Sequence, residues 1–379
     1  MAGIASPASG SSDVLVIGGG LQGLSSAFQL AKAGLRVRLL EAEYCGRHAS
    51  GVNAGGVRTL GRHVAEIPLA LAAREQLWHG LADIIGSDGG FVPSGQLQVA
   101  ENEADAIKAK ARVAMLNGLG FFHEQWVDQQ QVRELVPSIS PHVVGGIWAD
   151  RDGYALPYKV ATAYRLAAEK LGVQIVEQAP VQRVDQQSGM WQASTAQGRF
   201  HAPWLVNTAG AWAADFAAQV GDPVPMVAGG LMLMVTQRVA PFVKPVLGAM
   251  GRPLSFKQFD NGTVVIGGGL RCEADASQRH AMVDLNRMPK SAQTVIDLFP
   301  HLRNVSIARA WTGIEGFMPD EIPVISPSAG ADNLVHAFGF SAHGFELSPI
   351  TGCIVAELVT QGTSTLPISA FRVDRFAAA

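Results

Sequence analysis

This sequence of 379 residues offers little that could hold a metal, a disulfide or a polyanion. Only three cysteines occur, Cys45, Cys272 and Cys353, far apart and without a CxxC pair, so neither a structural zinc site nor a disulfide framework is indicated. The ten histidines are scattered, with no HExxH spacing, and no metal is expected. No Lys/Arg run exceeds two residues and the formal net charge is −3, which leaves no basic field for a nucleic-acid backbone. Nor does any uninterrupted apolar run approach the roughly 18 residues that cross a bilayer. Met1 to Ser12 is rich in Ala, Ser and Gly without a basic stretch leading into an apolar one. The expectation is a cytoplasmic protein with no signal peptide and no integral membrane segment.

What is present is 48% apolar residues, 16% charged residues and 42 glycines, the balance of an α/β protein with a sizeable core. The length suits two domains of roughly 100–200 residues each. Asp13 to Ile17 is a run rich in β-branched residues that reads as a buried parallel strand. It leads directly into Gly18-Gly19-Gly20-Leu21-Gln22-Gly23. Leu24, Phe28 and Ala31 then recur at helical spacing until Gly34, and Val37 to Leu40 forms a second strand ending at Glu41.

This βαβ unit has the order of a dinucleotide site. Gly18 makes the tight turn, Gly20 lets backbone approach a pyrophosphate, and Gly23 lets helix pack closely on strand. The helix start at Leu21 and Gln22 supplies positive dipole, and Glu41, followed by Ala42, accepts from ribose hydroxyls. A second string, Val264 to Gly269, is followed by Arg271-Cys272-Glu273-Ala274-Asp275 without helical period, and reads as a strand ending in a flexible turn.

After Glu41 comes a long small-residue loop, Arg47 to Arg58, where a plain NAD domain would form its next helix. Here the sequence resembles the glutathione-reductase-like flavoproteins, specifically the D-amino-acid oxidase superfamily branch containing sarcosine oxidase, glycine oxidase and the β subunits of heteromeric opine, proline and D-hydroxyproline dehydrogenases. Four segments carry the resemblance: the βαβ unit with Ser50-Gly51-Val52-Asn53-Ala54-Gly55-Gly56; Val206 to Trp212; Arg309 to Gly313 leading to Pro319-Asp320 and Pro323; and Gly339 to Phe345 leading to Pro349 and Gly352.

The resemblance implies an α/β fold in which a glutathione-reductase-like FAD-binding Rossmann domain (11–80, 145–225 and 308–379) interleaves with an α+β substrate domain on an antiparallel sheet (81–144 and 226–307), after a flexible tail 1–10. It implies noncovalent FAD held by Gly18, Gly20, Leu21, Gln22, Gly23, Glu41, Ala42, Ser50, Asn53, Ala54, Gly55, Gly56, Val181, Ala209, Gly210, Trp212, Gly313, Gly339, His343, Gly344 and Phe345. The cysteine that tethers FAD in monomeric sarcosine oxidase falls near Gly316-Phe317, and the histidine that tethers FMN in the heterotetrameric β subunit falls on Pro157. A helix after Pro349, its start near Ile350-Thr351-Gly352, points at the flavin in this family.

The implied activity is oxidation of the C–N bond of an amino acid or secondary amine, a D-amino or imino acid or an opine-like substrate, by hydride transfer to flavin N5 and imine hydrolysis. Alternatives are a free-standing glycine or D-amino-acid oxidase using oxygen, and a catalytically silent electron-relay subunit. Val265 stands where monomeric sarcosine oxidase has its oxygen-activating lysine, which favours a dehydrogenase with an electron-accepting partner subunit. The carboxylate-anchoring arginine of the glycine-oxidase branch corresponds to Glu315, and the lysine after His-Gly-Phe in monomeric sarcosine oxidase to Glu346. Arg58 and Arg62, with Lys257 on Ser255 to Phe259, remain as candidate anchors. His343 is a candidate proton carrier or a brace for the isoalloxazine. If Glu315 and Glu346 face the substrate, they favour one with a cationic or amine-bearing remainder.

Overall fold

The computed structural model describes residues 12–376; the expected tail 1–10 lies outside them. Val14–Ile17 and Val37–Leu40 are buried at every position and pair in parallel. Strands covered on both faces carry no polar alternation, which is why these runs of Val, Leu and Ile form them. The sheet has six strands in the order Val324–Pro327, Leu334–Phe338, Trp204–Asn207, Val14–Ile17, Val37–Leu40, Gln174–Val176. All its pairings are parallel except that of the edge strand Val324–Pro327.

Helix Leu21–Lys32 packs against this sheet and against the C-terminal helix Gly344–Gln361, which itself touches the sheet. Two hydrogen bonds tie the helices together: Gln22 Nε2 donates to Gly344 O at 2.7 Å and Ser25 Oγ to Ser348 O at 2.5 Å. The C-terminal helix begins six residues before the expected start at Ile350 and runs straight through Pro349. Proline has no N–H for the carbonyl of Phe345 four residues back. Ser348 Oγ donates to that carbonyl at 2.8 Å instead, so the helix continues.

The second sheet has nine strands, and its longest pairing joins Val227–Thr236 to Ile307–Phe317 antiparallel. Ser255–Gln258 and Val264–Gly267 pair antiparallel as a hairpin across Asp260-Asn261-Gly262. The sheet is mixed rather than wholly antiparallel, because Val246–Ala249 runs parallel to Gln96–Ala100. Two strands from ranges expected in the flavin domain belong to this sheet by hydrogen bonding: Gly145–Ala149, between Gln96–Ala100 and Gln125–Asp128, and Ile307–Phe317. Strands at a crossover take their place from backbone pairing, which residue pattern does not record. Met232 and Met234 fill the core beneath this sheet, where Phe256 stacks on Phe299.

Candidate functional site

A cavity of about 750 Å³ lies between the two sheets, within the usual range for small-molecule and cofactor sites. Gly18, Gly20, Leu21 and Gln22 line one wall, with Glu41 and Ala42 at the end of the second strand. The loop residues Ser50, Asn53, Ala54, Gly55 and Gly56, then Val181, Ala209, Gly210 and Trp212, continue the wall. Gly313, Glu315, Gly339, His343, Gly344 and Phe345 line the cavity as well, together with Arg58.

Gly23, by contrast, is not on the wall. A Cβ there would come within 1.9 Å of Gly18 O, and Gly18 itself has φ +103°. These two glycines therefore set the strand-to-helix turn, and of the three only Gly20 would take a Cβ without striking backbone.

The polar groups around that face fit a dinucleotide. Helix Leu21–Lys32 starts at Gly20 without a side-chain cap of its own, and Ser50 Oγ accepts from Leu21 N at 2.8 Å. The Glu41 carboxylate accepts from Gly19 N at 2.6 Å and Glu43 N at 2.8 Å, which fixes it beside the glycine turn. The stretch 47–58 is not wholly irregular as expected; it contains a short helix, Ala49–Val52. Asn53 braces it, donating to Ala49 O and Ser50 O while accepting from Gly55 N at 2.7 Å. A helix N-terminus, a glycine-lined wall and a fixed carboxylate are what the diphosphate and ribose of FAD require.

At the other end, Arg58 and Arg62 leave the loop together but part company. The loop is braced by buried carboxylates: Asp152 accepts from Thr59 N, Leu60 N and Arg74 Nη1, and Glu124 from Gly61 N. Arg62 is 1% exposed and turns inward to Glu346 at 3.0 Å, with Glu66 at 3.9 Å. Arg58 lines the cavity, its Nη1 donating to Leu60 O at 2.9 Å. Among the described residues it has no ion-pair partner. Burial and the neighbouring Arg62 charge push its pKa down only to about 10, so at neutral pH it presents a free positive charge.

His343 Nδ1 lies 2.9 Å from Glu66 Oε2. Burial pushes His343 down to about 4. Burial raises Glu66, but the His343 hydrogen bond and Arg62 outweigh it and its pKa is lowered. The pair is thus a neutral imidazole donating from Nδ1 to an ionised carboxylate, which leaves Nε2 an acceptor.

Two expected substrate-facing residues are elsewhere. Glu346 is fully buried off the cavity wall and bonded to Arg62, because it sits on the inner face of the C-terminal helix, where Trp78 Nε1 also donates to its carbonyl at 2.7 Å. Lys257 is 2% exposed, and its ammonium lies over the rings of Tyr154 at 5.5 Å and Phe259 at 5.9 Å. Burial pushes it down to about 7.

Glu346 carries a stability prediction. Burial pushes its carboxyl from 4.5 up to about 8, so the folded chain keeps a proton that the unfolded chain has released. That contribution is complete below 4.5 and is lost as the pH rises through about 8, since stability falls wherever the folded state binds more protons. Glu346→Gln, which cannot titrate, should flatten the fall in unfolding midpoint between about pH 5 and pH 9. Equal falls in parent and variant would show that this carboxyl does not titrate there.

Glu315 does line the cavity, and burial pushes it up to about 7. It also holds a strained loop. Ser341 (φ 49°) and Ala342 (φ 72°) are successive non-glycine residues in the left-handed region, a costly conformation that needs fixing from outside. Ala342 N donates to Glu315 Oε1 at 2.7 Å, and Met318 N to Ser341 Oγ at 3.0 Å. Glu66 and Asp152 were not foreseen, although Glu66 stands four residues after Arg62, the spacing of a helical ion pair. Arg279, which also lines the cavity, falls just past the stretch Val264 to Asp275 and carried no motif.

Among the described residues no cluster of His, Cys, Asp and Glu could hold a metal, and no helix is long and apolar enough to cross a membrane. The profile of the DAO family, FAD dependent oxidoreductase, matches residues 13–358. The chain is 27% identical to hydrogen cyanide synthase subunit HcnC of Pseudomonas aeruginosa, covering 96% of each. It is 26% identical to sarcosine oxidase subunit beta of Rhodobacter capsulatus, covering 96% of this chain and 88% of that one. The fold superposes on the crystal structure of glycine oxidase from Geobacillus kaustophilus with a TM-score of 0.89 at 24% identity, over 97% of this chain and all of the other.

Proposed function

The chain belongs to the DAO family of FAD-dependent oxidoreductases, and on that premise we propose that it oxidises the C–N bond of a small amino or imino acid. The observation that carries this reading is Arg58, a cation on the cavity wall without an acidic partner among the described residues, at the same end as the neutral imidazole of His343. Bound FAD supplies the two-electron acceptor for the hydride on the carbon beside nitrogen. Arg58 binds the substrate carboxylate, and its charge survives burial. His343 Nε2 accepts from the substrate amine and orients it; with a pKa near 4 it positions better than it takes protons. Phe345 and Leu233 on the wall help exclude water until the imine leaves to be hydrolysed. Two of the relatives above are named as subunits, which supports a partner subunit as the electron acceptor.

The test is anaerobic. Sarcosine, glycine, D-proline, D-hydroxyproline, D-amino acids and opines are added in turn to the yellow protein, and at least one should bleach the visible flavin absorbance. Rapid recovery of colour in air would assign an oxidase, and slow recovery a dehydrogenase. Failure of every compound would favour the electron-relay role. Acid precipitation should release the colour into the supernatant, since proline stands at residue 157 and neither Gly316 nor Phe317 can form a tether. Colour retained in the pellet would overturn noncovalent binding.

A further inference from the structure

Four arginines line the cavity, Arg47, Arg58, Arg62 and Arg279. Arg47 is paired with Glu43 at 3.3 Å, and Arg62 lies between the Glu346 carboxyl at 3.0 Å and the ionised Glu66 at 3.9 Å. Arg58 and Arg279 have no ion-pair partner among the described residues. A half-buried guanidinium on a cavity wall without a counter-ion marks a place for an anion. Arg58 already accounts for a carboxylate at one end.

Arg279 stands at the other end, among Glu41, His48 and Trp212. Burial raises the pKa of Glu41 and lowers that of His48, with the Arg279 charge a smaller downward influence on each, and its guanidinium lies 5.8 Å from the centre of the Trp212 ring. His48, whose ring is 4.8 Å from Trp212, has its pKa lowered by burial and contributes no charge at neutral pH. Arg279 is therefore the cation here.

The backbone is arranged to deliver it. Arg279 belongs to a hairpin, Ala274–Asp275 paired with His280–Ala281, whose turn is set by Asp275 Oδ1 accepting from Ser277 Oγ at 2.6 Å and Gln278 N at 3.1 Å. Trp212 Nε1 donates to Ala276 O at 2.8 Å, which latches the hairpin to the wall of the dinucleotide site. Arg279 has φ +51°, a conformation that glycine would adopt without strain, yet a long cation occupies it.

We propose that Arg279 is a clamp on the diphosphate of FAD, brought across from the second sheet by this hairpin. The inference rests on FAD as cofactor but not on the substrate. FAD, ADP and riboflavin are titrated against the full chain freed of flavin. Arg279→Ala should raise the dissociation constants of FAD and ADP by about tenfold or more, the scale of a charge-assisted contact to phosphate, and leave riboflavin, which has no phosphate, unchanged. Gln278→Ala, on the exposed tip of the same hairpin, should leave all three unchanged. FAD and ADP constants within about twofold of the parent, or an equal loss for riboflavin, would overturn the clamp. A parent chain that binds no FAD would instead overturn the cofactor assignment, so the two failures are distinct. Equal unfolding midpoints without FAD would show that Arg279→Ala leaves the fold intact; a lowered midpoint with losses for all three ligands would count against the clamp.

Discussion

Gly20→Val protein is expected to purify colourless, while the parent chain purifies yellow. Gly20 has φ −71°, ordinary for any residue, and an added Cβ would meet only the Ser50 hydroxyl, at 2.9 Å. The fold can therefore accept valine by a small movement of the Ser50 hydroxyl, at the cost of at most its one hydrogen bond from Leu21 N. The bound cofactor cannot, because the new methyls occupy the wall where backbone must approach phosphate. An FAD dissociation constant raised by roughly a hundredfold follows from a clash of a few kcal/mol. The unfolding midpoint without FAD should move by no more than about 1–2 °C, the scale of about 1 kcal/mol in a chain of this size. Gly23→Val gives the contrast, since its Cβ would strike Gly18 O at 1.9 Å; it should lose both colour and midpoint. A fully loaded Gly20→Val would show that the diphosphate is held elsewhere.

The difference between Gly20 and Gly23 also shows what the sequence makes legible. The βαβ unit is contiguous: strand, glycines, helix, strand and Glu41 fall within 29 residues from Asp13 to Glu41, so each role follows from local backbone geometry. Side-chain direction across distant segments is not local. Glu346 and Arg62 lie 284 positions apart, and the choice between facing the cavity and facing each other depends on which face of the C-terminal helix is turned inward. That rotation depends on where the helix begins, and Pro349 suggested too late a start because its lost hydrogen bond is replaced by Ser348. Asp152 shows the same limit. It fixes the loop behind Arg58 through hydrogen bonds to Thr59 and Leu60, 93 and 92 positions away, and no spacing rule links it to them. Arg279 reaches the cavity through a hairpin of two-residue strands, too short to leave a period.

Arg58→Ala is expected to cost an amino-acid substrate roughly 10–100-fold in kcat/KM, chiefly through KM, because a hydrogen bond to a charged group contributes about 1.5–3 kcal/mol. Removal should not unsettle the loop, since Asp152 and Glu124 hold its backbone independently. The decisive comparison uses a substrate with its carboxylate deleted. Parent and Arg58→Ala should turn over that amine about equally well, whereas an equal loss on both compounds would place Arg58 against the flavin or in the fold. Arg58→Lys keeps the charge but not the planar fork and should fall between. Glu315 then decides what the rest of the substrate is. Its carboxyl, pushed up to about 7, is neutral below that value and negative above it, so a substrate with a second cation should gain in kcat/KM as the pH rises through about 7, while a neutral amino acid does not. Glu315→Gln keeps an acceptor for Ala342 N and hence the strained loop, but removes the titrating charge; the gain should vanish and the neutral substrate should be unaffected. If Glu315→Gln instead impairs both substrates alike, its part is to hold the loop before His343, and preference for a cationic side chain has to be assigned to another residue on the wall.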